Sequence, residues 1–203
     1  MDALHVPPDE ESLIDRTLRS ITSPGPTLHG GRRRQLAALA RALRVEPEAP
    51  VPDGSLERFA ATVTVEAHTI RPEMITDLRA AGSTDAQLVE VVSLVARLTA
   101  VDTFCFGVGI APVELEAGAE GEPTGRVDPG AGIDGGWLPT VGTASPPNAL
   151  SLLPDEHQAM HDVHGVLYLA VAEMADLDAD RGLHRTQMEL VAARTSLLNE
   201  CFF

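Results

Sequence analysis

The spacing of apolar residues along the chain predicts helices. After Gly30, four apolar residues share one face of a helix: Leu36, Leu39, Ala40 and Leu43. The prolines and the glycine between Pro47 and Gly54 end this helix. The next helix is predicted over 56–70, even though 62–65 is a β-branched run, and its stripe consists of Leu56, Phe59, Ala60, Val63 and Ala67. We therefore expect an all-α fold.

A capping box marks the start of the longest predicted helix. Thr84 has a side-chain oxygen that accepts from the first helical turn, and Gln87 reaches back to the backbone of Thr84. The apolar run that follows carries three charged residues, Glu90, Arg97 and Asp102. This is too much charge for a membrane span. We expect a buried helix that ends at Gly107, and no membrane partner.

The composition changes between Pro112 and Pro147. Glycine, proline and small residues without periodicity predict a linker or a long surface loop. Trp137, the only tryptophan, lies in this segment, and we expect its large apolar ring to dock on the folded part. Beyond the loop, one helix is predicted to begin at Pro154 and a final helix near Thr186.

The net charge of −15 excludes an electrostatic nucleic-acid surface. The run Arg32-Arg33-Arg34 is typical of a solvated helix start that pairs with carboxylates, and no site is assigned to it. Two cysteines lie far apart, and the chain does not open with a secretory pattern, which favours a reducing cytoplasm. Cys105, between two phenylalanines, is predicted to be a core residue.

Three histidines, His157, His161 and His164, are spaced to share one helix face. Imidazoles at this spacing can surround a metal ion, but three ligands on one straight helix seldom converge. The other interpretation is a polar face or a contact with a neighbouring subunit. We assign no metal and no cofactor, and both interpretations stay open.

The chain ends in a pattern with redox character. Glu189 and Cys201 lie twelve residues apart, in the context Glu-Leu-Val-Ala-Ala-Arg…Leu-Asn-Glu-Cys, and the pattern of 185–194 is similar to that of 31–41. On these residues, together with 78–92, the chain resembles the alkylhydroperoxidase (AhpD-like) or carboxymuconolactone decarboxylase-like helical proteins, specifically their tandem two-unit members. The resemblance implies an all-α homo-oligomer that reduces a peroxide at the expense of a thiol reductant.

The resemblance also implies site residues and units. Glu189 corresponds to the family's proton relay and Cys201 to the first cysteine of its Cys-x-x-Cys pair. The second cysteine and the family's histidine have no positions before Phe203. The implied units are a helical unit without the cysteine pair (1–112), a linker (113–149) and the start of a second unit (150–203).

Helix geometry adds a requirement to this assignment. Twelve residues of unbroken helix span about 18 Å, which is too far for direct proton exchange between Glu189 and Cys201. Either the helix breaks or another segment intervenes. A break near Asn199 and Glu200 would place Cys201 at the start of a further helix, where the pKa of its thiol is lowered, but with no residues after Phe203 that helix cannot form. Glu189 has another interpretation, as the third helical residue of a capping box that starts at Thr186.

Three functions remain open. The first is a thiol peroxidase whose dithiol motif continues beyond Phe203. The second is a complete, non-catalytic helical scaffold or oligomerisation protein derived from the same family. The third is a lyase of the carboxymuconolactone decarboxylase type. We favour the first, with Cys201 and Glu189 as its site residues.

Overall fold

The computed structural model describes residues 8–200, and the side chains of 12–200. In this part of the chain all named elements are helical, so the predicted all-α fold is confirmed. The α-helices are α1 (Pro8–Thr22), α2 (Gly30–Val45), α3 (Ser55–Val65), α4 (Pro72–Ala80), α5 (Asp85–Gly107), α6 (Pro154–Leu167) and α7 (Arg185–Leu198). None of these helices has the length and hydropathy needed to cross a bilayer.

Helix α5 is the centre of the fold and lies against α1, α2, α3 and α6. Six of its apolar residues are at most 3% exposed: Leu88, Val91, Leu94, Val95, Leu98 and Val101. Fully burying one leucine side chain contributes about 1.5–3 kcal/mol. The predicted capping box is confirmed, because Thr84 Oγ1 accepts from the Gln87 N–H (3.2 Å) and Gln87 Oε1 accepts from the Thr84 N–H (3.0 Å). The predicted end at Gly107 is also confirmed.

Helix α3 ends earlier than predicted. The sequence predicted a helix over 56–70, whereas α3 ends at Val65 and a 3₁₀ turn follows at Ala67–Thr69. The last turn of α3 is β-branched, which crowds a helix. The hydroxyls of Thr62 and Thr64 also donate to carbonyls four residues earlier, at 3.0 and 2.7 Å. Such bonds compete with the regular helix ladder.

The segment between α5 and α6 is a long surface loop, one of the two predicted alternatives. Its backbone is fastened to the first half of the chain, since Ala119 donates to the Thr22 carbonyl (2.8 Å) and Thr124 to the Gly25 carbonyl (2.9 Å). A Cβ atom on Gly118 would lie 2.5 Å from backbone atoms of α2. Only glycine permits so close an approach. The division into two related units stays a prediction.

The prediction that the Trp137 ring docks on the fold is wrong. The side chain is 47% exposed. Its neighbour Leu138 packs against the apolar core instead, and Arg79 Nη2 donates to the Trp137 carbonyl at 2.9 Å. Leu138 and Arg79, rather than the Trp137 ring, therefore hold this part of the loop against the fold.

Candidate functional site

Four charged side chains meet in the core between α2, α5 and α6. This buried charge cluster consists of Arg33, Glu90, Arg97 and Glu156, each at most 5% exposed. Arg33 joins both glutamates: Nη1 pairs with Glu90, and Nη2 lies 2.9 Å from Glu156 Oε1. Arg97 Nη2 lies 2.5 Å from Glu156 Oε2. The two positive and two negative charges balance, which buried ions require.

Glu156 is the carboxylate that both arginines share. Burial by itself would raise its pKa, but the charges of Arg97 and Arg33 outweigh burial and hold the pKa below its ordinary value. The Ser93 hydroxyl donates to Glu156 Oε2 at 2.5 Å and acts in the same direction. Glu156 is therefore an anion at neutral pH.

Polar groups from α1 and the following turn complete the cluster. The Ser20 carbonyl accepts from Arg33 Nη2 at 3.1 Å, and the Ser20 hydroxyl accepts from Arg97 Nη1 at 2.5 Å. The backbone N–H of Thr27 donates to Glu90 Oε2 at 2.8 Å. The buried charge cluster thus ties α1 to the three helices that carry its charges.

Gly25, in the turn after α1, packs directly against the buried charge cluster. A Cβ atom at this position would lie 1.8 Å from Arg33 Nη1 and 2.1 Å from Glu90 Oε1. Real side chains essentially never approach so closely, so a larger residue at this position would displace the Arg33–Glu90 ion pair. With no room for a substrate, we interpret the cluster as a device that fixes the arrangement of four helices.

The predicted solvated basic run is wrong at one of its three positions. Arg33 is 1% exposed and belongs to the buried charge cluster. Arg32 pairs with Glu57, and Arg34 Nε donates to the Glu116 carbonyl at 2.8 Å. The predicted pairing with carboxylates is confirmed for Arg32 and Arg33.

Glu189, the predicted proton relay, lies on α7 in a second polar group. Arg185 Nε is 2.8 Å from Glu189 Oε1, and the Tyr168 hydroxyl donates to the same oxygen at 2.6 Å. Burial, and then the hydrogen bond to Glu189, raise the pKa of Tyr168, so the phenol stays protonated at neutral pH. The side chain of Glu189 is 49% exposed. We call these three residues the Glu189 cluster.

The capping box predicted from Thr186 and Glu189 is wrong. Helix α7 begins at Arg185, and its N-cap is His184. His184 Nδ1 accepts from the Thr186 N–H (3.3 Å), and Gln187 Oε1 accepts from the His184 N–H (3.0 Å). Gln187 therefore occupies the position predicted for Glu189, because the cap lies two residues earlier.

An apolar cleft of about 410 Å³ opens beside the Glu189 cluster. Tyr168 and Arg181 supply its polar lining, and its apolar wall is formed by Phe104, Val166, Leu167, Leu183, Met188 and Val191. Arg185 Nε and Nη1 are buried and have no hydrogen-bond partner among the described residues, so the contact of Nε with Glu189 is an ion pair without a hydrogen bond. The cleft can hold a small apolar molecule within reach of a phenol donor.

Of the two cysteines, Cys105 lies among the residues that the structure describes and Cys201 lies outside them. The helix before it ends at Leu198, and Glu200 has a φ of 54°, so the helix breaks near Asn199 and Glu200, which is one of the two alternatives considered from the sequence. Cys105 is 0% exposed, as predicted for a core residue. Burial, and then the charge of Asp102, raise the pKa of its thiol.

The structure brings together two of the three histidines on α6. The Nε2 atoms of His157 and His161 are 3.1 Å apart, whereas His164 Nδ1 lies 2.6 Å from the Leu169 carbonyl oxygen. Within 12–200, no group of three or more His, Cys, Asp and Glu side chains could hold a metal ion. The three-histidine arrangement considered from the sequence therefore does not form.

Comparison with known proteins assigns no family. No protein-family model, curated protein or solved structure matches this chain. The geometry of the Glu189 cluster and the resemblance carried by Glu189 and Cys201 are the grounds for a functional proposal.

Proposed function

We propose that this protein is an alkylhydroperoxidase-like thiol oxidoreductase, with Cys201 as its reacting thiol and Glu189 as its proton relay. The observation that carries the proposal is the Glu189 cluster beside an apolar cleft. A proton relay must be held within hydrogen-bond reach of its partners. Tyr168 donates a hydrogen bond to Glu189 at 2.6 Å, and Arg185 forms an ion pair with it at 2.8 Å.

The cleft favours an organic hydroperoxide with an apolar group as the substrate. The Cys201 thiolate attacks the outer peroxide oxygen, so that an S–O bond forms while the O–O bond breaks. The departing alkoxide takes a proton from Tyr168 and leaves as an alcohol. Glu189, half exposed, returns a proton from solvent to Tyr168.

The catalytic cycle closes with a dithiol reductant. The Cys201 sulfenic acid condenses with one thiol of the reductant, which forms a mixed disulfide and releases water. The second thiol of the reductant then attacks that disulfide, which restores the Cys201 thiol and leaves the reductant oxidised. One peroxide is thus reduced for each dithiol consumed.

Sulfenic acid trapping tests the assignment of Cys201. After one equivalent of cumene hydroperoxide, we expect dimedone to label Cys201, as located by mass spectrometry. Cys201→Ser should lose the label and the turnover with dithiothreitol, whereas Cys105→Ser, which changes only a buried thiol, should keep both. No label at Cys201 in the unaltered protein would refute the proposal.

The Glu189 cluster has its own test. Glu189→Gln keeps the shape of the side chain and its acceptor oxygen but removes the charge. We expect turnover to fall by about 10²- to 10⁴-fold, the usual contribution of an acid–base group. Glu66→Gln, which alters an exposed glutamate far along the chain, is the control. Equal turnover in both variants would remove Glu189 from the mechanism.

The outer face of α7 favours a second function, that of a helical oligomerisation protein. Only Arg185 and Met188 of α7 are buried. Four apolar residues are 60–75% exposed: Leu190, Val191, Leu197 and Leu198. Leu190 and Leu197 lie one heptad apart, as do Val191 and Leu198, so the four residues share one face of α7 on both sides of Arg194. A second copy would present the same stripe, so we propose a symmetric contact between two copies of this chain.

Light scattering after size exclusion tests this contact. We expect the unaltered protein to elute as an oligomer and the Leu190→Glu, Leu197→Glu double variant as a monomer, because buried charges oppose the contact. Ala193→Glu, which adds a charge beside the stripe, should leave the oligomer intact. A monomeric unaltered protein would rule out the contact.

A further inference from the structure

Two imidazoles on α6 face each other across one helical turn. The Nε2 atoms of His157 and His161 are 3.1 Å apart, and the two ring planes are 89° apart, with centroids separated by 4.2 Å. Both side chains are half-buried. Neither residue belongs to the buried charge cluster or to the Glu189 cluster, so the pair has no part in the function proposed above.

The separation of the two nitrogens matches that of two ligands on one ion. Zinc–imidazole bonds are about 2.0–2.1 Å long. Two such bonds that meet at about 100° place their nitrogens about 3.1 Å apart. The measured distance therefore allows a shared ion with only a rotation of the rings to aim both lone pairs at it.

We propose that His157 and His161 together bind one divalent transition-metal ion of the Ni²⁺, Cu²⁺ or Zn²⁺ class through their Nε2 atoms. Imidazole suits these ions. Within 12–200 no third protein ligand joins the pair. Water or a small molecule completes the coordination, and the bound ion keeps open positions.

The lowered pKa of His157 favours metal binding at neutral pH. Burial, and then the neighbouring His161, lower the pKa of His157, so protons compete less for its lone pair at neutral pH. In the metal-free pair, one Nε2 donates a hydrogen to the other. A bound ion would take the place of that hydrogen between the two nitrogens.

The surroundings leave the site open to solvent. His161 lines a cleft of about 600 Å³ together with Arg16, Gln158 and Asp162. Gln158 Nε2 donates to Asp162 Oδ1 at 2.8 Å. Arg16 and Asp162 carry opposite charges, so the cleft does not repel a cation as a whole. The ion and its exchangeable waters would reach this cleft from the His161 side.

Calorimetric titration with Ni²⁺ tests the site in the full chain. We expect one ion per chain, with Kd raised at least about tenfold in His157→Ala and in His161→Ala, since even removal of an outer-shell group costs about 10- to 100-fold. His164→Ala is the matched control, because His164 lies on the same helix but its ring bonds the Leu169 carbonyl beyond the end of α6. Its Kd should equal that of the unaltered protein.

Electron paramagnetic resonance of the unaltered protein with Cu²⁺ tests the site without depending on whether a variant folds. The expected spectrum has splitting from two imidazole nitrogens. A spectrum with one nitrogen or none, the absence of stoichiometric Ni²⁺ binding, or equal affinity in the His157, His161 and His164 variants would each overturn the proposal.

Discussion

At the scale of single residues, the charged side chains of the core are constrained most tightly. Arg33 and Arg97 are each about as buried as the leucines around them. Glu156 forms an ion pair with both, at 2.9 Å from Arg33 and at 2.5 Å from Arg97. An ion pair in this setting contributes little net stability, but the loss of one partner leaves a buried charge uncompensated. A substitution beside these ion pairs that pushes their side chains apart should therefore also lower the free energy of unfolding.

Two glycines near Arg33 give a matched test of that crowding. Gly25→Ala would place a methyl group against Arg33 Nη1 and Glu90 Oε1, and overpacking costs about 1–3 kcal/mol. Gly31→Ala meets nothing within 4 Å, lies in α2 and should be neutral or stabilising by up to about 1 kcal/mol.

Urea unfolding followed by circular dichroism measures both free energies. Equal stability of the two variants would mean that the ion pair moves aside without cost.

At the scale of elements, Thr84 and Gln87 define the start of the central helix. Thr84→Ala should lower the free energy of unfolding by about 1 kcal/mol, because the first turn loses its side-chain acceptor. Thr84→Ser retains an oxygen at the same place and should recover most of that loss. Thermal and urea unfolding of both variants compare the effects, and similar losses would assign the cost to the methyl group.

Most of the helices, but not all of them, were predictable from the sequence. The stripes and start signals of α2, α5 and α6 gave correct positions for these helices, whereas α7 begins one residue before the predicted Thr186 and has a different cap. Helix α1 was not predicted, although it buries Leu13, Ile14, Leu18 and Ile21. The end of α3 depended on the backbone bonds of Thr62 and Thr64, a competition between local bonds that residue spacing does not express.

The candidate site was predictable only in part, because its partners are distant in sequence. Glu189 was singled out, but Tyr168 lies 21 residues away and is brought to it by the turn after α6. The buried charge cluster had a signal in α5, where three polar residues share one face of an apolar helix: Glu90, Ser93 and Arg97. Nothing in that pattern identifies Glu156 as their partner, because helix packing sets that contact.

At the scale of the whole molecule, Glu156 couples stability to acid. Its folded-state pKa lies below the ordinary value, so the unfolded chain binds this proton more tightly than the folded protein. The resulting stabilisation is complete above about pH 4.3, the unfolded value. It is lost as the pH falls further, through the folded-state pKa.

Urea unfolding at several pH values tests this coupling. Glu156→Gln should be less stable at pH 7 by about 3–5 kcal/mol, because Arg33 and Arg97 lose their shared anion. Its stability should also vary less with acid than that of the unaltered protein. Glu66→Gln, at an exposed position, should keep the original acid dependence. If the slopes of the unaltered protein and Glu156→Gln coincide, the acid sensitivity originates elsewhere.

The position of Glu156 along the chain also bears on synthesis. Arg33 precedes it by 123 residues and Arg97 by 59. A chain that emerges from the ribosome folds from its N-terminal part onward. The nascent α1–α5 assembly therefore carries two arginines against Glu90 alone and cannot close tightly around the surplus charge. Translation of α6 supplies the missing anion, so a ribosome that pauses in the preceding loop would hold the protein in a loosened state exposed to chaperones and proteases.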